Sequence, residues 1–132
     1  MRYLTVEDVL LLHHLAVEQS GGVHGLRSSE LLDSAVHRCQ ASFGGADLYP
    51  TLFLKAAGLM HSLIKNHPFV DGNKRTGIYS AMTFLEINHY HLKAGQEEVV
   101  RFALSVDLEN PELDKIAAWL KAHSRKISHR KT

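Results

Sequence analysis

The densest cluster of chemically useful side chains in this sequence runs from Asn66 to Gly77 and reads NHPFVDGNKRTG. Between His67 and Arg75 it sets an imidazole, a carboxylate, an amide, an ammonium and a guanidinium around Pro68, Phe69 and Gly72. His67 can accept a proton near neutral pH. Asp71 is a hard oxygen ligand of the kind Mg²⁺ uses together with phosphates and waters. Lys74 and Arg75 are fixed cations, and an arginine can grip phosphate oxygens through two parallel hydrogen bonds. If Gly72, Asn73 and Lys74 open a helix, their free N–H groups and the positive end of the helix dipole add an anion site. Gly72 would let a ligand approach the backbone closely. A base, a metal carboxylate, a phosphate nest and two cations describe transfer of part of a nucleotide phosphate to a hydroxyl. The same residues also suit an ordinary solvated turn. Neither a Walker-type GxxxxGKS/T run nor a kinase-type glycine loop is present to decide between the two.

The elements on either side must position this cluster. Before it, Leu52, Phe53, Leu54, Ala56, Ala57, Leu59, Met60, Leu63 and Ile64 predict a central helix over 51–66 with apolar groups around most of its circumference. Pro50 is suited to its first turn. Pro68 biases His67 away from helical angles and breaks the chain there. After the cluster, Ile78, Ala81, Met82, Phe84 and Leu85 predict a helix that starts near Gly72 or Asn73 and runs to about Asn88. The cluster is therefore a junction between two buried helices, and Phe69 is expected to drop into the core and pin it.

Elsewhere, Thr5 with Asp8 resembles a capping box, and Val9, Leu10, Leu12, Leu15 and Ala16 follow at helical spacing over 5–18. Ser28 or Ser29 can cap a helix reaching Ala41. The segment SFGGADLYP, Ser42 to Pro50, suggests a short hairpin or extended flap around Gly44-Gly45. Helices over about 96–106 and 111–123 complete the chain, the last capped by Asn110 with Pro111 in its first turn. The reading is an all-α domain of about six helices with one short extended excursion.

The bulk numbers fit one globular domain. The chain has 132 residues, 45% hydrophobic and 22% charged, with a formal net charge of +1. That balance gives no footprint for nucleic acid or a membrane, and no apolar run approaches the roughly 20 residues of a membrane span. MRYLTVEDV shows no signal-peptide pattern, and one cysteine, Cys39, excludes an internal disulfide; its place in the apolar-periodic stretch Leu31, Leu32, Ala35, Val36 predicts a buried, inert thiol. A cytoplasmic setting is expected. The domain is placed at 1–124, with 125–132 as a basic, solvated tail.

The histidines offer rival readings. His13 and His14 are adjacent and cannot share a helix face, and His89 and His91 lack supporting ligands, so all four are expected on the surface. His61 and His67 with Asp71 could suggest a metal phosphohydrolase, but the His-Asp tandem of such sites is missing. Arg27 could contact phosphate or serve a local cap or ion pair.

His67-Pro68-Phe69-Val70-Asp71-Gly72-Asn73-Lys74-Arg75 resembles the Fic/Doc family signature HxFx(D/E)GN(G/K)R, with every constrained position met. GLRSSELLDSA (Gly25 to Ala35), the run from Leu48 to Thr76 and IAAWL (Ile116 to Leu120) resemble its death-on-curing (Doc) toxin branch. The resemblance implies the Fic fold, with a flap before the motif-bearing helix pair that pairs with an extended target segment by strand addition. It implies ATP as substrate and Mg²⁺ as cofactor. His67 would be the base, Asp71 the metal ligand, and Gly72, Asn73, Lys74 and Arg75 the nucleotide-phosphate contacts. Many Fic proteins transfer AMP to a protein hydroxyl; the Doc branch is similar to a kinase acting on elongation factor Tu. AMP-transferring members usually have glycine where this chain has Lys74, and a second arginine where it has Ile78. Both departures point to phosphorylation, with AMP transfer as the alternative and an inactive binding module as the third reading. A separate antitoxin protein is the implied restraint. Ser105 to Asn110, SVDLEN, fits the loose inhibitory-helix pattern S/T-x-x-x-E-G/N, but the arginine its Glu109 would pair with is replaced by Ile78, so the match is set aside.

Overall fold

The computed structural model describes residues 1–127. Helix α1 (Val6–Ser20) opens on the expected capping box: Thr5 Oγ1 accepts from the Asp8 N–H and the Asp8 carboxylate accepts from the Thr5 N–H. Helix α2 (Ser29–His37) is capped by Ser28 and passes into a 3₁₀ turn, Arg38–Gln40, instead of continuing to Ala41. Strands β1 (Ser42–Phe43) and β2 (Ala46–Asp47) form the hairpin, pairing Ser42 with Asp47 and Phe43 with Ala46. Helices α3 (Leu52–Asn66) and α4 (Asn73–Ile87) flank the motif, and α5 (Gln96–Glu109) and α6 (Leu113–Ala122) close the bundle. Among the described residues no helix is long and apolar enough to cross a membrane.

Helix α3 lies at the centre, packed against α4, α6, α2 and α5. Its fully buried residues run from Lys55 through Ile64 over nearly every position, as its all-round apolar pattern requires. Its closest neighbour is α4. A Cβ on Gly77 would stand 2.7 Å from Ile64 Cγ1 and 3.1 Å from the Met60 carbonyl, so glycine there sets how near the two helices come. That spacing fixes the width of the junction that carries the motif.

Several boundaries differ from expectation. Pro50 precedes α3 instead of lying in its first turn, and Thr51 caps the helix, accepting from the Leu54 N–H. Asn110 ends α5 in the left-handed region (φ 46°) and does not cap α6, which starts after Glu112. An asparagine next to a proline serves a helix C-terminus as readily as an N-terminus. A second two-stranded sheet was not foreseen. Strand β3 (Tyr90–Leu92) pairs antiparallel with β4 (Ser124–Lys126), so Arg125 and Lys126, read as tail, are ordered against the body. The rest of that basic segment, 128–132, lies outside the described residues. On α1, Leu11 and Leu15 face outward while His13 faces in, the reverse of the surface position expected for His13.

Candidate active site

The motif occupies the α3–α4 junction and is held from several directions. Helix α3 stops at His67, whose φ of 48° and ψ of 58° put a non-glycine residue in the left-handed region. The connection between α1 and α2 then runs alongside. Leu26 and Phe69 form an antiparallel bridge, the Val70 N–H donates to the Gly25 carbonyl at 3.0 Å, and the Arg27 and Ser28 N–H groups both donate to the Pro68 carbonyl. Arg27 resolves as a cap: Nε donates to the His67 carbonyl at 2.6 Å and Nη2 to the Asn66 carbonyl at 2.7 Å, covering orphan groups at the end of α3.

Phe69 is buried, as expected of an anchor, and its ring stacks on His13 at 3.7 Å between centroids and 7° between planes. His13 Nε2–H donates to the Asp71 carbonyl at 2.8 Å. Burial pushes the His13 imidazole below its ordinary value of 6.5, partly offset by that backbone hydrogen bond. Sequence reading missed this residue because the pattern of its neighbours is apolar on both faces of α1.

Asn73 is the loop's internal clamp. Its Oδ1 accepts from the Phe69 N–H at 3.0 Å, its Nδ2 donates to the Phe69 carbonyl at 2.9 Å, and the same Nδ2 lies 3.4 Å from His67 Nδ1. Its side chain is buried and committed, so any contact of Asn73 with a ligand falls to its backbone N–H. Gly72 caps α4 at φ 79° without a side chain to cover the first turn, which leaves the opening N–H groups of α4 facing the cleft. A side chain there would be strained by that φ and would meet Val17 Cγ2 at 3.2 Å.

The charged groups line one wall. Asp71 is exposed, and its two carboxylate oxygens accept from the Val23 N–H at 3.0 Å and the Gly72 N–H at 2.9 Å. Those backbone bonds, Val23 first, hold its carboxyl below the usual range and keep it ionised. Each oxygen keeps a lone-pair direction for a cation, so the residue suits a metal that takes one carboxylate plus phosphates and waters. Lys74 is half exposed, and Arg75 Nη1 donates to Tyr79 Oη at 3.4 Å. A cleft of about 280 Å³ brings together Asp71, Gly72, Asn73, Lys74 and Arg75, with Val100, Ala103 and Leu104 of α5 opposite. A larger groove of about 440 Å³ opens between α5 and α6 around Phe102 and Trp119, and none of the motif residues lines it.

Two further residues converge on the motif without having been foreseen. Asp107 of α5 stands 3.8 Å from His67 Nε2, 3.8 Å from Lys74 Nζ and 3.9 Å from Lys65 Nζ. Lys65 also donates to the Asp107 carbonyl at 2.9 Å. Asp107 lies inside the segment SVDLEN, whose Glu109 is exposed and away from the motif. The rival grouping of His61 with His67 and Asp71 dissolves: His61 bonds Arg38 and Asn110 instead. Among the described residues no group of three or more His, Cys, Asp or Glu is arranged to hold a metal by itself.

Residues 3–85, which include every motif position, match the model of the Fic/DOC family. The chain belongs to that family. It is 44% identical over 120 residues to the Toxin Doc of Mycolicibacterium smegmatis, covering 89% of this chain and 90% of that protein. It is 30% identical over 88 residues to the Protein kinase doc of Escherichia phage P1, covering 67% of this chain and 69% of that one. The mostly helical architecture with a hairpin ahead of α3 is consistent with the Fic fold. Within the Fic/DOC frame Ile78 matters as well. It is completely buried on α4, one turn past Arg75, so no cation points into the cleft from that position.

Proposed function

We propose that this chain is the toxin of a toxin–antitoxin module, a protein kinase that moves the γ-phosphoryl group of ATP to a serine or threonine hydroxyl of a translation protein. Elongation factor Tu is the first candidate target. The observation that carries the reading is the α3–α4 junction: the cleft at the start of α4 gathers Asp71, Lys74 and Arg75, and His67, which ends α3 outside the lining of that cleft, is linked to Lys74 through Asp107, 3.8 Å from each. The names of both relatives agree with it. Lys74 in place of a bare glycine, and Ile78 buried in place of a second arginine, support phosphoryl over AMP transfer.

In this mechanism the target hydroxyl gives its proton to His67, and its oxygen attacks the γ-phosphorus. The bond from that phosphorus to the bridging oxygen breaks, and ADP leaves with the electron pair. Lys74, Arg75 and the α4 N–H groups bind the phosphate oxygens, where preorganised donors act without reorganisation. Asp71 would hold Mg²⁺, which would supply positive charge to offset that on the transferring phosphate. The hairpin β1–β2 presents a short open edge on which an extended target segment can add as a strand. Leu104 and Leu108, exposed on α5 at the cleft side, suit coverage by an antitoxin segment that folds on binding.

The test is intact mass of elongation factor Tu after incubation with the protein, ATP and Mg²⁺. A gain of about 80 Da is a phosphoryl group. A gain of about 329 Da would mean AMP transfer and would overturn the argument from Lys74. No ATP binding with Mg²⁺ present, alongside retained binding of a partner protein, would leave only a binding module.

A further inference from the structure

Asp107 lies outside the segment matched by the family model, yet it is the acidic group that the motif's base and the first of its two cations share. Its carboxylate is about four-fifths shielded, with 19% of the side chain exposed. Its placement is built. The Lys65 ammonium fastens the Asp107 carbonyl to α3. One turn on, Asn110 Oδ1 accepts at 2.7 Å from His61, whose Nδ1 accepts from Arg38 Nη1 at 3.0 Å. A guanidinium can only donate, so His61 carries its proton on Nε2 and must be the donor to Asn110. The C-terminal turn of α5 is thereby fixed across α3 by contacts on either side of Asp107.

The same reasoning assigns the tautomer of His67. The Asn73 Nδ2 group 3.4 Å from His67 Nδ1 has only hydrogens to offer, and its carbonyl partner Oδ1 is occupied by the Phe69 N–H. The lone pair of neutral His67 therefore lies on Nδ1, and its proton lies on Nε2, toward Asp107 at 3.8 Å. We infer that Asp107 is a positioning residue for the proposed transfer: it holds His67 with the Nε2 proton turned toward α5, faces the imidazolium that forms when Nδ1 takes the hydroxyl proton, and keeps Lys74 beside it. This inference rests on the reading of His67 as the base.

The sign of the effect separates this role from its opposite. A carboxylate next to Lys74 could instead compete with phosphate, and its loss would then raise activity. A buried, hydrogen-bonded carboxylate behind a catalytic histidine is worth about 10⁴-fold in rate. Asp107 is partly exposed and at ion-pair distance, so its neutralisation should cost about 10- to 100-fold, by discount from that limit. The experiment compares the full chain with Asp107→Asn and, should that variant fold poorly, Lys65→Met, which releases the Asp107 backbone while keeping the carboxylate. Steady-state transfer with ATP and Mg²⁺ is measured together with the ¹⁵N spectrum of the His67 imidazole. The expected result is a fall in kcat with the KM for ATP unchanged or lower, and, in the spectrum, loss of the single Nε2–H tautomer. Unchanged or increased kcat in the variant would overturn the role. So would an imidazole spectrum identical to that of the parent protein. If the parent itself transfers nothing to any hydroxyl, the reading of the base fails, and the tautomer measurement still decides what Asp107 does.

Discussion

The motif loop and the hairpin are both short connections leading to or from α3, and they are held in opposite ways. The loop from His67 to Gly72 is fixed by a bridge to Leu26, by two N–H groups on the Pro68 carbonyl, by Arg27, by the internal clamp of Asn73 and by Phe69 stacked on His13. The hairpin exposes both residues of each strand, and Phe43 at its tip is 81% exposed. Its tie to the body is Lys55, a buried ammonium that donates to Asp47 Oδ2 at 3.1 Å and to the Cys39 carbonyl at 3.3 Å, with the Leu48 N–H on the Ala41 carbonyl below it. Reacting groups need positions fixed to a fraction of an ångström, whereas an edge that takes a peptide strand needs open backbone groups. The contrast fits the proposed division, with chemistry at one connection and recognition at the other.

The largest effect that can break this contrast is at the proposed base, His67. His67→Ala should lower transfer by about 10²–10⁴-fold while leaving the melting temperature close to that of the parent, since a half-exposed side chain contributes little packing. Transfer at the parent rate would end the assignment. Next is the anchor. Phe69→Ala should cost about 3–5 kcal/mol in urea unfolding, because it removes a buried ring and strands His13 beside a cavity. A cost below about 1 kcal/mol would show that the loop is held without its ring. Lys55→Met keeps the volume and removes the tie to Asp47. Hydrogen exchange at 42–47 should then quicken while the amides of 67–75 keep their protection, and equal change in both would erase the distinction. The smallest effect is set by pH. Folding holds the His13 imidazole below 6.5, so between that value and its folded value the unfolded chain binds more protons. The stability His13 contributes is complete above about pH 6.5 and falls as the pH is lowered. Between pH 7.5 and 5.5 the parent should therefore lose more in Tm than His13→Gln, which can still donate to the Asp71 carbonyl.

How much of this could be read beforehand depends on the range of the interaction. The capping box at Thr5, the Ser28 cap, the hairpin at Gly44-Gly45 and the burial of Phe69 and Cys39 follow from signals within a few residues. The Cys39 thiol is raised by desolvation, as suits a buried and inert group. The pairing of Tyr90 with Lys126 could not be read, because strands this short carry no periodicity and their partners are far apart in sequence. His13 faced the same obstacle: its partners Phe69 and Asp71 lie on another element. At the site, the motif's residue types and spacing were sufficient to name it, yet not to divide the work within it. Asn73 proved to be a clamp on Phe69 inside the loop itself, while Arg27 as a cap and Asp107 as a neighbour of His67 are contacts between elements.

The left-handed backbone at His67 leaves a last consequence. A residue with a Cβ in that region costs roughly 1–2 kcal/mol relative to a relaxed one, and a helix that ends this way is best closed by glycine or asparagine. The chain places the proposed base there instead. His67→Gly should therefore lower transfer as far as His67→Ala does and melt at a higher temperature than the parent, by the amount of that backbone penalty less whatever the imidazole's contacts contributed. A sequence optimised only to fold would discard this histidine, so under the proposed mechanism activity and durability pull in opposite directions at a single Cα.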